Sequence, residues 1–236
     1  MVRKLRLVVG GLPAVAAFLL VTAMACDGGG GDGQVTPTPG TTEEQDQLRQ
    51  MVLQLEDLPS GVILAEDFFV TAEESAADSD NREERLARLQ EWGYILGYDV
   101  TYQANPQVQS EFGLILANST ASLYGSEDGA KASFDDAVET ARTTDWATLF
   151  GGAQNVQSEE MASPALTDEM LWLRITAEAA PEVGIGEETF ANDFILFRHG
   201  PARASLMVIW AMDDGTSAFI EGLAEAQAQG MKDALP

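Results

Sequence analysis

Two pairs of apolar segments lie so close together in this chain that each pair can join in only one sense. Tyr98 to Gln103 and Phe112 to Tyr124 form the first pair. Phe194 to Phe197 and Ala204 to Trp210 form the second. Tyr98, Val100 and Tyr102 fall on one side of their segment, with the two-residue period of a strand. Strands that pair parallel need a crossover of about a dozen residues or more, and neither link is that long. Both pairs are therefore expected to run antiparallel, with His199-Gly200-Pro201 as a hairpin turn.

The rest of the chain supplies cover for such a sheet. Gln47 to Leu58 has Leu48, Val52 and Leu55 at helical spacing, and Pro59-Ser60-Gly61 stops it. Val62 to Val70 reads as a strand. A loop at Asp78-Ser79-Asp80-Asn81 precedes a helix from Arg82 whose inner face carries Leu86, Leu89 and Trp92. Ser126 is placed to cap a helix with Ala130, Phe134, Ala137, Val138 and Ala141 in one stripe. Asp145 to Phe150 is a short helical turn, Leu171 to Ala177 a strand, and Thr216 to Met231 a closing helix with Phe219, Ile220 and Leu223 inward. Five or six strands and four or five helices predict an α+β fold, an antiparallel sheet covered by helices, in one domain over residues 43–236.

The N-terminus has a different grammar. Arg3, Lys4 and Arg6 precede an uncharged run from Leu7 to Ala25. That is the layout of a secretory signal, although the run also approaches the ~20 residues that span a bilayer. Gly10, Gly11 and Pro13 weaken its start, and Ala23-Met24-Ala25 is an A-x-A cleavage site directly before Cys26, the chain's one cysteine. Ala23-Met24-Ala25-Cys26 resembles a bacterial lipobox, in which the cysteine is lipidated and becomes the first residue. Secretion after the same cleavage and an uncleaved anchor are the alternatives. Acyl chains contribute ~0.8 kcal/mol per buried CH₂, so two or three hold a protein on a membrane. Residues 26–42 are rich in Gly, Pro and Thr and read as a disordered tether. Signal 1–25, tether and domain together predict a lipid-anchored protein on the cell membrane, facing outside the cytoplasm.

Charge narrows the partners. Lys and Arg number 13 against 38 Asp and Glu, a net charge of -25. A polyanion would be repelled, which argues against nucleic acid. A cation or a basic protein would be attracted.

Signatures of catalysis are missing from the sequence. No G-x-S-x-G, H-E-x-x-H or G-x-x-x-x-G-K-[ST] occurs. His199 is the only histidine, and it falls in the hairpin turn. Too few His and Cys are present for a zinc site, and Arg82 and Glu83 spoil the calcium loop that Asp78-Ser79-Asp80 begins. No metal, cofactor or enzyme activity is expected. Glu159-Glu160, Glu187-Glu188 and Asp213-Asp214 are adjacent carboxylates, which face opposite ways on a strand. Asp213-Asp214 instead reads as the start of the last helix. Trp92, Tyr94, Tyr98 and Tyr102 are the candidate ligand-binding residues, rings that would either pack in the core or line a cleft for a lipid tail or sugar face.

Several phrases occur together in order: Leu58-Pro59-Ser60-Gly61; Glu91-Trp92-Gly93-Tyr94 with Gly97-Tyr98; Leu123-Tyr124 with Gly129-Ala130 and Phe134; and Val183-Gly184-Ile185-Gly186-Glu187 with Arg198-His199-Gly200. Over roughly residues 45–235 they resemble exported bacterial lipoproteins with a PsbP-like or receptor-kinase sensor-like domain. The resemblance implies an extracytoplasmic binding or sensing module without established enzymatic residues. The expectation is a lipid-anchored, non-catalytic module for a small hydrophobic ligand. The alternatives are an acidic docking module for a basic partner and a carboxylate-based hydrolase.

Overall fold

The computed structural model describes residues 40–77, 79, 81–150, 153–178, 189–211 and 216–235. The signal, Cys26 and nearly all of the tether lie outside the described residues. So do Gly151-Gly152, Val183 to Glu188, and Asp213-Asp214.

Among the described residues seven strands form one sheet, antiparallel at every pairing. They are β1 (Val62–Val70), β2 (Tyr94–Ala104), β3 (Leu114–Tyr124), β4 (Gln154–Glu160), β5 (Glu169–Glu178), β6 (Thr189–His199) and β7 (Ala202–Ala211). Their order across the sheet is β1-β2-β3-β7-β6-β5-β4. Two meanders, β1 to β3 and β4 to β7, thus meet along the β3–β7 pairing. The α+β architecture read from the sequence is the one observed, and both short-link pairs are antiparallel.

The helices are α1 (Thr42–Met51), α2 (Ala72–Ala77), α3 (Arg82–Glu91), α4 (Pro106–Phe112), α5 (Glu127–Thr143), α6 (Trp146–Leu149) and α7 (Thr216–Ala234). α1 and α7 cover one face of the sheet. Leu48 and Met51 of α1 join Ile220, Leu223 and Met231 of α7 over Leu96, Val100, Leu206 and Ile195. Each such buried side chain contributes roughly 1.5–3 kcal/mol. Gly230 lets the two helices close, because a Cβ there would run into the Gln50 carbonyl. On the opposite face, Phe134 and Ala141 of α5 pack with Trp146 and Phe150 over Leu171, Leu173, Ile175 and Leu196. Ser126 caps α5 by accepting the Gly129 N–H at 3.1 Å.

Three local readings are corrected. The first helix starts at Thr42, not Gln47, because Thr41 and Glu44 form a reciprocal capping box. It ends at Met51, and Leu55–Asp57 is a separate 3-10 turn. The segment from Phe112 is not all strand. Asn105 accepts from the Gln107 and Val108 N–H groups, Pro106 fits the first helical turn, and Gly113 ends α4 with φ 69°. β4 is a further strand beyond those expected, and its largely exposed sequence gives no apolar alternation.

The α1/α7 face buries a charged cluster. Asp193 is fully buried and accepts from Arg174 Nε at 2.9 Å and Nη2 at 3.1 Å. It also accepts from the indole N–H groups of Trp172 at 2.5 Å and Trp210 at 2.6 Å. Four donors meet one carboxylate, and the Arg174 guanidinium lies 5.0 Å from the Trp210 ring centre. A buried charge survives only with such complete pairing.

Candidate functional site

The α5-covered face of the sheet carries a second kind of surface beside its apolar cluster. Strand register lines up small and polar side chains there in two neighbouring rows. Gly97 of β2 pairs with Ser122 of β3, which pairs with Arg203 of β7. Asp99 pairs with Thr120, which pairs with Ser205. These rows lie between the cover given by α5 and that given by α2 and α3. The result is a pocket of about 360 Å³. Gly97, Asp99, Thr120, Ser122 and Arg203 border it from the sheet. Phe68 and Val70 of β1, Ser75 of α2, Ser79, and Arg85 of α3 complete much of the wall.

Local chemistry fixes each group. Gly97 leaves room for the Tyr94 phenol, which would collide with a Cβ at that position. A shift in β2–β3 register between Tyr94 and Leu96 accompanies the placement of this ring beside Gly97. The Tyr94 hydroxyl donates to the Val70 carbonyl at 2.9 Å, and its ring meets Tyr124 edge-on at 5.6 Å. Burial pushes the phenol's pKa above its ordinary value. Asp99 accepts from Asn118 Nδ2 at 2.7 Å. Burial nonetheless raises its pKa to about 6, with Glu66 adding to the rise and the Asn118 hydrogen bond opposing it.

Arg85 donates to Asp136 at 3.1 Å, and Arg88 takes the same carboxylate at 2.6 Å. The Arg85 guanidinium also lies over the Trp92 ring at 5.4 Å. Burial lowers the Arg85 pKa, and the neighbouring positive charge of Arg203 lowers it further, against the pull of Asp136. Arg203 uses one terminal nitrogen on Ser133, at 3.0 Å to Oγ and 3.3 Å to the carbonyl. Among the described residues no carboxylate lies within ion-pair distance of Arg203.

The four candidate aromatics do not gather in one cleft. Tyr94 borders the 360 Å³ pocket. Tyr98 borders that pocket and also a smaller one of about 230 Å³, which Tyr102 lines together with Arg49, Leu55 and Leu64. Tyr98 donates to Asp67 at 2.6 Å and Tyr102 to the Leu53 carbonyl at 2.7 Å. Burial raises the Tyr102 pKa to about 12. Trp92 borders neither pocket. It caps the C-terminus of α3, and its carbonyl faces Gly129 so closely that a Cβ there would clash. Sequence reading missed Arg85, Asp99 and Arg203. The signal for Asp99 was present, as an acid inside an apolar alternation, whereas the meeting of Arg85 and Arg203 depends on long-range pairing.

His199 sits in the expected hairpin, with Nδ1 3.3 Å from Asp168 Oδ1. Asp168 is held below the usual carboxylate range chiefly by the Gly200 N–H, which it accepts at 2.9 Å. Glu169 is joined to Lys131 and Arg198. Among the described residues no three His, Cys, Asp or Glu side chains gather as a metal site, and no helix is long and apolar enough to cross a membrane.

No family model matches the chain. No curated protein matches it. Among solved structures it is similar to the extracellular domain of PknH from Mycobacterium tuberculosis, with a TM-score of 0.50 and 8% identity. The match covers 84% of this chain and 97% of that one. At that identity the likeness establishes a shared fold.

Proposed function

We propose that this protein is a membrane-tethered, extracytoplasmic binding or sensing module without catalytic activity, and that the 360 Å³ pocket is where it takes its ligand. The observation that carries the reading is the pocket itself, a recess in which polar and charged groups from three strands and two helices converge beside apolar walls. Its volume lies within the range of small-ligand sites, roughly 300–1,000 Å³. The non-catalytic part rests on how its carboxylates are used. Glu74 is tied to the Thr71 N–H and hydroxyl, each at 2.8 Å, and Asp99 is bound by Asn118. Each already has a fixed hydrogen-bond partner within the fold. The location rests on the signal-like residues 1–25 and Cys26, and it is supported by the fold shared with a domain described as extracellular.

Mass spectrometry of the tagged protein taken from its own membranes tests all of this. The expected result is a chain beginning at Cys26 with acyl mass and a further non-covalent small molecule under native conditions. A chain that begins at Met1, or one without lipid, overturns the tether. Repeated isolation with nothing bound overturns the binding module in favour of protein docking.

A further inference from the structure

The pocket's charge is at odds with the molecule's. The chain has nearly three acids for each base, and its overall field repels anions. Yet Arg203 and Arg85 both border the pocket. Asp136 is divided between Arg85 and Arg88, and it is the carboxylate held by both. Arg203 spends one of its nitrogens on Ser133 and, among the described residues, leaves most of its five donors unspent. The guanidiniums are near enough for Arg203 to depress the Arg85 pKa. Two like charges held together in a partly buried recess are unfavourable unless an anion joins them. Guanidinium is also the group that binds planar or tetrahedral oxyanions in a fork.

We propose that the pocket binds a small oxyanion on a compact apolar body, with a carboxylate, sulfate or phosphate gripped by Arg203 and Arg85 and the body resting on Phe68, Val70 and Tyr94. This assignment rests on the binding reading above and adds the ligand's class. Ser122 and Thr120 border the same space, with the Thr120 hydroxyl shared with Ser205 at 2.7 Å. The two acids at the pocket, Glu74 and Asp99, are occupied by Thr71 and Asn118. They favour a ligand with a single, localised negative end over a polyanion.

Phenyl phosphate and its uncharged counterpart phenol test the assignment on the isotope-labelled full chain, read by amide shifts in NMR titration. Phenyl phosphate is expected to move the amides of Gly97, Thr120 and Ser122 saturably, and phenol to leave them in place. Arg203→Gln is expected to weaken binding by tenfold or more, and Arg203→Lys by less. Arg85→Lys serves in place of Arg203→Gln if that variant loses its dispersed spectrum. Equal response to phenol and phenyl phosphate overturns the anion class while leaving a binding pocket. No response to phenyl phosphate at 10 mM, which is about the weakest affinity of interest here, also overturns it. The co-purified mass then decides the binding reading on its own.

Discussion

Asp99→Asn isolates one buried charge. In the fold Asp99 titrates near 6, against 3.8 for an unperturbed aspartate, because burial disfavours its carboxylate. Between those values the folded protein keeps a proton that the unfolded chain has released. Stability from this group is thus complete below about pH 4, falls as pH rises, and is lost once pH passes about 6. At about 1.4 kcal/mol per pH unit, the displacement is worth about 3 kcal/mol. Asparagine keeps the oxygen that accepts from Asn118 and carries no charge to bury. The variant is expected to match the parent at pH 4 and to exceed it by about 2–3 kcal/mol at pH 7.5. Urea unfolding of both proteins from pH 4 to pH 8 measures this, since the difference cancels contributions from the other acids. A gap that stays constant with pH refutes the buried-carboxylate reasoning. So does a gap that widens toward acid.

Asp193→Ala strips Arg174, Trp172 and Trp210 of their common acceptor and is expected to cost about 3–5 kcal/mol. The midpoint of urea unfolding will report it. Gly129→Ala drives a methyl into the Trp92 carbonyl and is expected to cost about 1–3 kcal/mol, seen as a lowered Tm. Asn192 is fully buried, and among the described residues neither of its amide atoms has a hydrogen-bond partner. Asn192→Val is therefore expected to stabilise by about 1–2 kcal/mol in the same denaturation experiment.

Much of the sheet was legible because its strands alternate and their links are short. β1 was read to the residue, and the hairpin at His199-Gly200-Pro201 came from turn chemistry alone. α4 was missed although Asn105, Pro106 and Gly113 spell a cap, a first turn and a stop, because Phe112 looked like the head of the strand that follows. β4 has no apolar alternation to detect, since it is an edge strand held by its ladder to β5. The pocket was largely hidden for a related reason. Arg203 stands beside Ser122 and Gly97 only through two successive strand pairings, one of them joining distant parts of the chain. The aromatic cluster does not form a single cleft: Trp92 borders neither pocket, and Tyr98 alone borders both. Tyr98 and Tyr102 share the smaller pocket, while Tyr94 lies against Gly97.

The meeting of the two meanders carries a consequence for biogenesis. β3 leaves one edge unpaired until Ala202–Ala211 arrives, and Leu114, Leu116 and Leu123 lie along it. In a chain delivered from its N-terminus, that edge waits through the making of β4, β5 and β6. An unpaired strand edge recruits other chains. The interval before β7 docks is thus the window in which a chaperone would hold this protein, and in which slow delivery would favour aggregation over folding.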